Sequence, residues 1–462
     1  MIILPLTGRY FTARGKTFKT AYLHIDRPPS VYNHAMESFK HKLAILPGKL
    51  RCLTIPVPMN RSMTLLVLVR VGSRHETRTT NGISHFMEHM FFKGAKKYPD
   101  TMAVAGAIDG AGGSFNAFTG EEIVGYYVKI SAGRKEIAYD VLSDMLLNAK
   151  FDAAEIARER GVVIEEIRMH HDDPQNQVYQ DFHHLVFGDQ PLGWDIAGTE
   201  ELVTSMTHDH FVEHHRRFYY GANTVITAAG GITPAEHEAL CEKYFRFADA
   251  GTAPATPPPY VRQEADRMLI RERDTEQAHF VFGFPACAAE TEDERVLKLA
   301  SVILGGSMSS RLFYQIRERR GLAYYVNASF STYLDTGVFQ VSAGVNLDKI
   351  QDALKYALIE IEKLKQELVT EEELTRSKEN IKGHTDLALE DSRRVASLYG
   401  VRELLYNNIK TPEMLAAEVD SVTAEQIRTA AQRYFTDAAM KLAVVGPLKR
   451  DDTWDTIFRL SV

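Results

Sequence analysis

Thiols are scarce in this chain: three cysteines among 462 residues, Cys52, Cys241 and Cys287, far apart and without a Cys-x-x-Cys pair. That spacing argues against a disulfide framework or a thiolate zinc site and fits a reducing compartment. No apolar run approaches the roughly 20 residues a membrane-spanning helix needs. Positive charge is also in deficit. The formal net charge is −7, and no basic stripe marks a nucleic-acid surface. What is there is an ordinary globular composition, 45% hydrophobic and 25% charged, long enough for two or more domains with sizeable cores. Residues 1–35 are mildly basic, with Asp26 the only acid, and the apolar stretch 2–6 is too short for a signal-peptide core. The expectation is an N-terminal extension, or an upstream start before Met36, on a cytoplasmic protein. The alternative is a presequence for an organellar matrix.

The clearest seam is AGTAPATPPPYVR, residues 250–262, whose prolines favour an extended linker. Residues 1–40 read as the extension, 41–249 as a first domain, 250–266 as the linker and 267–462 as a second domain. The two domains resemble each other. Each opens with strand-like alternation, TLLVLVRVGS and AHFVFGFPA, then an apolar helix ending near glycine, SHFMEHMFFKG and VLKLASVILGG. Each continues with a second β stretch and a long helix, FDAAEIARERGVVIEEI and VTEEELTRSKENIKGHT, and closes on an apolar strand. The predicted fold class is α+β: two homologous α/β-roll domains, each a mixed or antiparallel sheet packed with helices, related by internal duplication.

The duplication supplies a control. His85, Glu88 and His89 fall opposite Val296, Leu299 and Ala300, so the polar set in the first half is added to the fold rather than required by it. On a helix, His85 and His89 stand at i and i+4 on one face and can aim at one ion. Glu88, beside them, can reach a water at that ion without being a ligand, the inverted His-x-x-Glu-His pattern. A catalytic zinc needs a third protein ligand. Glu159 and Glu166 are two helical turns apart and share a side with Val162 and Val163; two acids beside apolar neighbours call for a cation or donors. Glu166 is assigned as ligand and Glu159 as the group orienting a histidine. Glu165 points about 100° away, toward solvent.

A second pentad, His210, Glu213 and His214 in HFVEHH, lacks a following Glu-x6-Glu helix and has Arg216 and Arg217 close by, which disfavour a divalent cation. His170, His171, His183, His184 and His208 read as solvated loop and helix residues.

VGSRHE, GISHFMEHMFFKG, GGSFNAFT, ERGVVIEEI, GDQPLGWDIAGTEE, LGGSMSSRLFYQIRERRGLAYYV and LAVVGP, in this order, resemble the pitrilysin and mitochondrial processing peptidase family from about residue 40 to the C-terminus. The resemblance implies a Zn2+ endopeptidase in which His85, His89 and Glu166 bind the metal, Glu88 is the general base and Glu159 supports activity. It implies that Asn116 and Ala117 line a strand on which an extended peptide can add. It also implies that Arg317 and Tyr324 reach the substrate carbonyl across the domain interface; on sequence alone Tyr325 is as good a candidate. The expected partner is a peptide or unfolded polypeptide, and a homodimer or a heterodimer with a related subunit is implied. The rival expectation is a non-catalytic family partner that binds peptides beside an active subunit. Presequence-cutting members carry acids where this chain has Asn176 and Gln180, so arginine-directed cleavage is not expected.

Overall fold

The computed structural model describes residues 39–247, 253–263 and 266–460. The expectations for residues 1–35 lie outside the described residues.

Eleven strands form two sheets among the described residues. The first contains β1 (Lys42–Ile45), β2 (Arg51–Pro56), β3 (Ser62–Val69), β4 (Ser114–Thr119), β5 (Val124–Ser131) and β6 (Thr224–Gly230), in the order β1-β2-β6-β3-β5-β4. The second contains β7 (Met268–Glu272), β8 (Gln277–Ala286), β9 (Ala323–Thr332), β10 (Gly337–Asn346) and β11 (Lys441–Gly446), in the order β7-β11-β8-β10-β9. Apart from β1 the sheets are the same object. In each, the first and last strands in sequence pair in parallel (β2 with β6, β7 with β11), and every other pairing is antiparallel. The two halves are therefore a structural duplication of one α+β unit.

The helices repeat as well. Ile83–Phe91, the histidine helix, matches Glu292–Gly305, and Ala153–Asp172, the carboxylate helix, matches Glu371–Ala388. Val296, Leu299 and Ala300 are buried in the second core, as apolar residues at those positions should be. Asp152 caps the carboxylate helix by accepting from the amides of Ala154 and Glu155.

Strand β3 is buried on both faces rather than alternating. Met63, Leu65, Val67 and Val69 enter the core of the first half, while Leu66 and Leu68 pack under the helix Ser392–Tyr406, which belongs by sequence to the second half. The exchange is reciprocal: the helix Pro174–Phe187 of the first half lays Val178, Phe182 and Val186 on Val281, Ala443 and Val445 of the second sheet. Each half thus covers the outer face of the other's sheet. Burying both faces turns an expected alternation into a continuous apolar run.

Arg74, 1% exposed, locks the junction. It donates to Glu122 and Asp335 at 2.6 Å and to the carbonyl of Pro258 at 3.0 Å. The described stretch 253–263 runs without helix or strand, as its prolines imply.

Sequence distance misled for the cysteines. The sheet and the helix Pro234–Tyr244 bring the Sγ atoms of Cys52 and Cys241 to 3.5 Å, beside His237. The argument that scattered cysteines exclude a thiolate cluster fails, because β2 and that helix are neighbours only in the folded chain.

Candidate metal centre

The histidine helix starts at Gly82, whose φ of +94° is open to glycine; an added Cβ would lie 2.5 Å from the carbonyl oxygen of Ala197. Its first amides are satisfied by the buried carboxylate of Glu76, which accepts from the amides of Gly82 and Ser84 at 2.8 Å and from the Asn81 side chain at 3.0 Å. Burial pushes the Glu76 carboxyl up, against these hydrogen bonds. Phe86, Met87 and Met90 anchor the opposite face in the core. The helix is thereby held from both sides, with His85 and His89 free to face the carboxylate helix.

The ligand atoms of His85, His89 and Glu166 lie within 4.8 Å of one another. Nε2 of His85 stands 3.5 Å from Glu166 Oε1, and Nε2 of His89 stands 3.4 Å from Oε2. Those contacts are long for charge-assisted hydrogen bonds. They match the edges of a ligand tetrahedron, because two atoms each about 2.0–2.1 Å from a zinc stand roughly 3.4 Å apart. The donor set, two imidazoles and a carboxylate, is a known three-ligand zinc set. The residues present therefore fit a zinc ion.

Behind His89, its Nδ1 lies 2.9 Å from Glu159 Oε1, and the other oxygen of Glu159 lies 2.6 Å from Lys93 Nζ. Burial pulls the His89 imidazole toward neutrality, but Glu159 and Glu166 outweigh it and hold its pKa up at about 9. Burial likewise opposes ionisation of Glu159, yet His89 and Lys93 keep it below the usual carboxylate range. Glu166 is held well below that range by the His85 and His89 imidazoles beside it. Nδ1 of His85, by contrast, is buried with no hydrogen-bond partner among the described residues.

Glu88 accepts from the hydroxyl of Thr119 at 2.5 Å. Thr119 ends β4, the edge strand of the first sheet, whose outer side pairs with no strand among the described residues. Asn116 and Ala117 lie on that strand, with Asn116 Oδ1 accepting from the amide of Ala117 at 2.8 Å.

A cavity of about 410 Å³ opens beside this centre. His85, Thr119, Glu166 and His170 line it from the first half, and Ser331, Tyr333 and Gln340 from the second. His183 also lines it; its Nε2 and Glu121 Oε1 both sit 3.1 Å from the Tyr333 hydroxyl. The expectation of a solvated helix role is thus corrected for His183, whereas the side chain of His170 is 40% exposed on its helix. The exchanged helix carries His183 inward, and burial pulls its pKa down. His171, His184 and His208 are exposed. Gln180 lines the same cavity, and Asn176 contacts His170 at 3.2 Å.

Val162 is a further correction: it is half exposed, while Val163 is buried. At 100° per residue the buried face centres on Ile156, Val163 and Ile167, so Glu159 and Glu166 stand at its margin and Val162 falls beyond it. Glu165 points to solvent and pairs with Arg168.

Arg317 and Tyr324 meet each other but are not among the residues lining this cavity. The guanidinium of Arg317, on a π-helical turn at Phe313–Glu318, lies over the rings of Phe313 and Tyr324. Tyr324 is 74% exposed near the start of β9, whereas Ser331, in the cavity wall, is seven residues further on, roughly 23 Å along the strand. Tyr325 is taken by His279, at 3.0 Å. Among the described residues the second pentad joins no cluster of metal-ligating side chains. His210 Nδ1 accepts from the amide of Thr207 at the helix start, and His214 is buried against Ser84 of the histidine helix, at 3.3 Å. The helix His208–Phe218 packs Phe211 on Phe86, so it supports the helix of the first pentad.

Sequence reasoning missed Glu76, Lys93 and Tyr333. The glutamate and the lysine are each within a few residues of the histidine helix, but only folding aims them at it. Tyr333 carries no sequence signal.

A His-x-x-Glu-His helix facing a glutamate on a second helix, on one of two duplicated α+β halves, is the architecture of the inverted zinc peptidases. Comparison with known proteins agrees. A family model described as Insulinase (Peptidase family M16) matches residues 51–200, and one described as Peptidase M16 inactive domain matches 205–381. An uncharacterized zinc protease of Streptomyces coelicolor is 35% identical over 87% of this chain and 89% of its own length. One from Bacillus subtilis is 36% identical over 84% and 94%. A protease from Helicobacter pylori has the same fold, with a TM-score of 0.84 and 24% identity over 89% of this chain and all of that one. The chain belongs to peptidase family M16, the pitrilysin family.

Proposed function

We propose that the protein is a zinc endopeptidase that cuts extended peptides or unfolded segments. The observation that carries this reading is the convergence of His85, His89 and Glu166 on one point, with Glu88 beside them and a cavity walled by both halves in front. Its relatives are named zinc proteases, which favours zinc as the ion. Zinc held by the three side chains would act as a Lewis acid toward a peptide carbonyl and toward water. Glu88 takes a proton from the attacking water and passes it to the leaving amine. Glu159 holds the His89 ring so that Nε2 faces the ion. The free edge of β4 receives the substrate backbone as an added strand, with Asn116 and Ala117 reading main chain rather than side chains. Gln180 and Asn176 place no carboxylate there for a substrate arginine.

Arg317 and Tyr324 reach a substrate only if a second chain presents them, since their own cavity lies far along β9. Their exposure fits pairing with another copy or a related subunit. No helix among the described residues is long and apolar enough to cross a membrane.

The test is hydrolysis of an unfolded peptide with zinc measured in parallel. Glu88→Gln should keep zinc and lose activity by about 10²–10⁴-fold. Glu166→Gln should lose both. Full zinc occupancy without hydrolysis in the unaltered chain would overturn the enzyme reading in favour of a peptide-binding partner subunit.

A further inference from the structure

The first half holds a second cluster of metal-ligating side chains, away from the peptidase residues. We propose that Cys52, His237 and Cys241 form a structural site for a thiolate-favouring divalent ion, zinc foremost, with the Tyr139 hydroxyl as its fourth neighbour.

The helix Pro234–Tyr244 carries His237 and Cys241 at i and i+4, the spacing that lets His85 and His89 converge. Cys52 comes from β2, directly opposite Ile226 on β6. His237 Nε2 lies 3.2 Å from the Ile226 carbonyl oxygen. A carbonyl only accepts, so Nε2 carries the proton and Nδ1 keeps its lone pair toward the thiols. A ring proton given to a backbone carbonyl is the usual support of a metal-bound histidine.

The separations suit an ion. Cys52 Sγ to Cys241 Sγ is 3.5 Å, Cys241 Sγ to His237 Nδ1 is 3.6 Å, and one ligand atom from each residue lies within 4.8 Å of the others. With bonds of about 2.3 Å to sulfur and about 2.0–2.1 Å to nitrogen, tetrahedral geometry sets roughly 3.8 Å between sulfurs and 3.6 Å between sulfur and nitrogen. Along these two edges shifts of a few tenths of an ångström suffice, and the third, Cys52 Sγ to the His237 ring, is at most 4.8 Å and closes by about 1 Å or less. A disulfide, by contrast, requires the sulfurs to close to about 2.05 Å. Tyr139 Oη, 2.6 Å from Nδ1, donates to it in the metal-free geometry. When the lone pair goes to the ion, the hydroxyl turns to the open fourth position.

Charge and burial agree with a structural role. Cys52, Tyr139, His237 and Cys241 are all 0% exposed, so no substrate reaches them. Two thiolates and a divalent cation sum to zero charge, which limits the desolvation cost of so deep a site. Binding exchanges two thiol protons for the ion, the protons leave to solvent, and no oxidant or reductant is needed. The ion would pin the helix Pro234–Tyr244 to β2, in the sheet of the half that carries the peptidase helices.

The test uses the full chain under thiol-reducing conditions, loaded with Zn2+ and, separately, with Co2+. Two zinc ions per chain are expected, falling to one in His89→Ala, which empties the peptidase centre. Cobalt should give a near-ultraviolet sulfur-to-cobalt charge-transfer band that two imidazoles and a carboxylate cannot produce. The band should persist in His89→Ala and vanish in Cys241→Ser. If Cys241→Ser does not fold, the unaltered chain and His89→Ala decide alone. A cobalt-loaded chain without the band overturns the proposal, whether its thiols remain free or its mass is two hydrogens lower, marking a Cys52–Cys241 disulfide. The band does not depend on Glu88, so its absence leaves the peptidase reading intact.

Discussion

Replacing Glu159 by glutamine keeps the side chain's size and removes one charge from a buried place. Glu159 is 5% exposed and spends both oxygens, one on His89 Nδ1 at 2.9 Å and one on Lys93 Nζ at 2.6 Å. The glutamine amide can accept from only one of these donors; its NH2 must face the other. The loss of a charge-assisted hydrogen bond is worth about 1.5–3 kcal/mol. Loss of the partner that orients a metal-bound histidine costs about 10- to 100-fold in affinity, or about 1.4–2.8 kcal/mol. The two estimates overlap near 2 kcal/mol, so Glu159→Gln should weaken zinc binding roughly thirtyfold while leaving the circular dichroism spectrum unchanged. Competition against a chromophoric chelator of known affinity measures this directly. Glu165→Gln, at an exposed position on the same helix, is the control and should bind as the unaltered chain does. An affinity for Glu159→Gln equal to that of the control would refute the claim that Glu159 acts through His89.

Three further outcomes are expected. Glu213→Gln should change neither zinc content nor peptide hydrolysis; if it alone removed zinc, the wrong pentad has been chosen. Arg74→Met leaves Glu122 buried without its cation, and by denaturant unfolding it should cost about 3 kcal/mol, the lower end of the range for a broken buried pair because Asp335 is partly exposed. His75 and His214 are held at about 3, chiefly by burial and then by neighbouring cationic groups. The unfolded chain takes up protons near pH 6.5 that the folded chain refuses. Stability is therefore full above pH 6.5 and falls below it, approaching about 1.4 kcal/mol per pH unit for each histidine. Denaturant midpoints between pH 7 and 5 check this. His214→Gln should lessen the slope by up to about 1.4 kcal/mol per pH unit, and a slope unchanged in that variant would count against the assignment of His214.

Much of the candidate site was legible because its geometry is local. An i, i+4 histidine pair and a seven-residue glutamate spacing each declare a shared helix face without any tertiary contact, and the second half exposed the histidine set as an addition by putting Val296, Leu299 and Ala300 in the same register. Less was legible wherever two elements had to meet. Val162 illustrates this: helical spacing put it with Glu159 and Glu166, but the buried face is set by what packs there, and its centre lies toward Ile156 and Ile167. His183 looked like a solvated helix residue because nothing in its neighbourhood reports that its helix crosses to the other sheet.

What the sequence by itself determined, then, is the duplication, the α+β class, and the choice of His85, His89 and Glu166 as a set, which the structure brings together. These follow from periodicity and spacing within single elements, from one half checking the other and, for Glu166, from the third ligand that a zinc site needs. Only the tertiary structure decided that each half roofs the other's sheet, that the cavity is walled from both, that Arg317 and Tyr324 lie away from it, and that Cys52 meets Cys241. Those are contacts between residues far apart in sequence, chosen by which apolar faces bury each other, and no local pattern encodes the partner of a face.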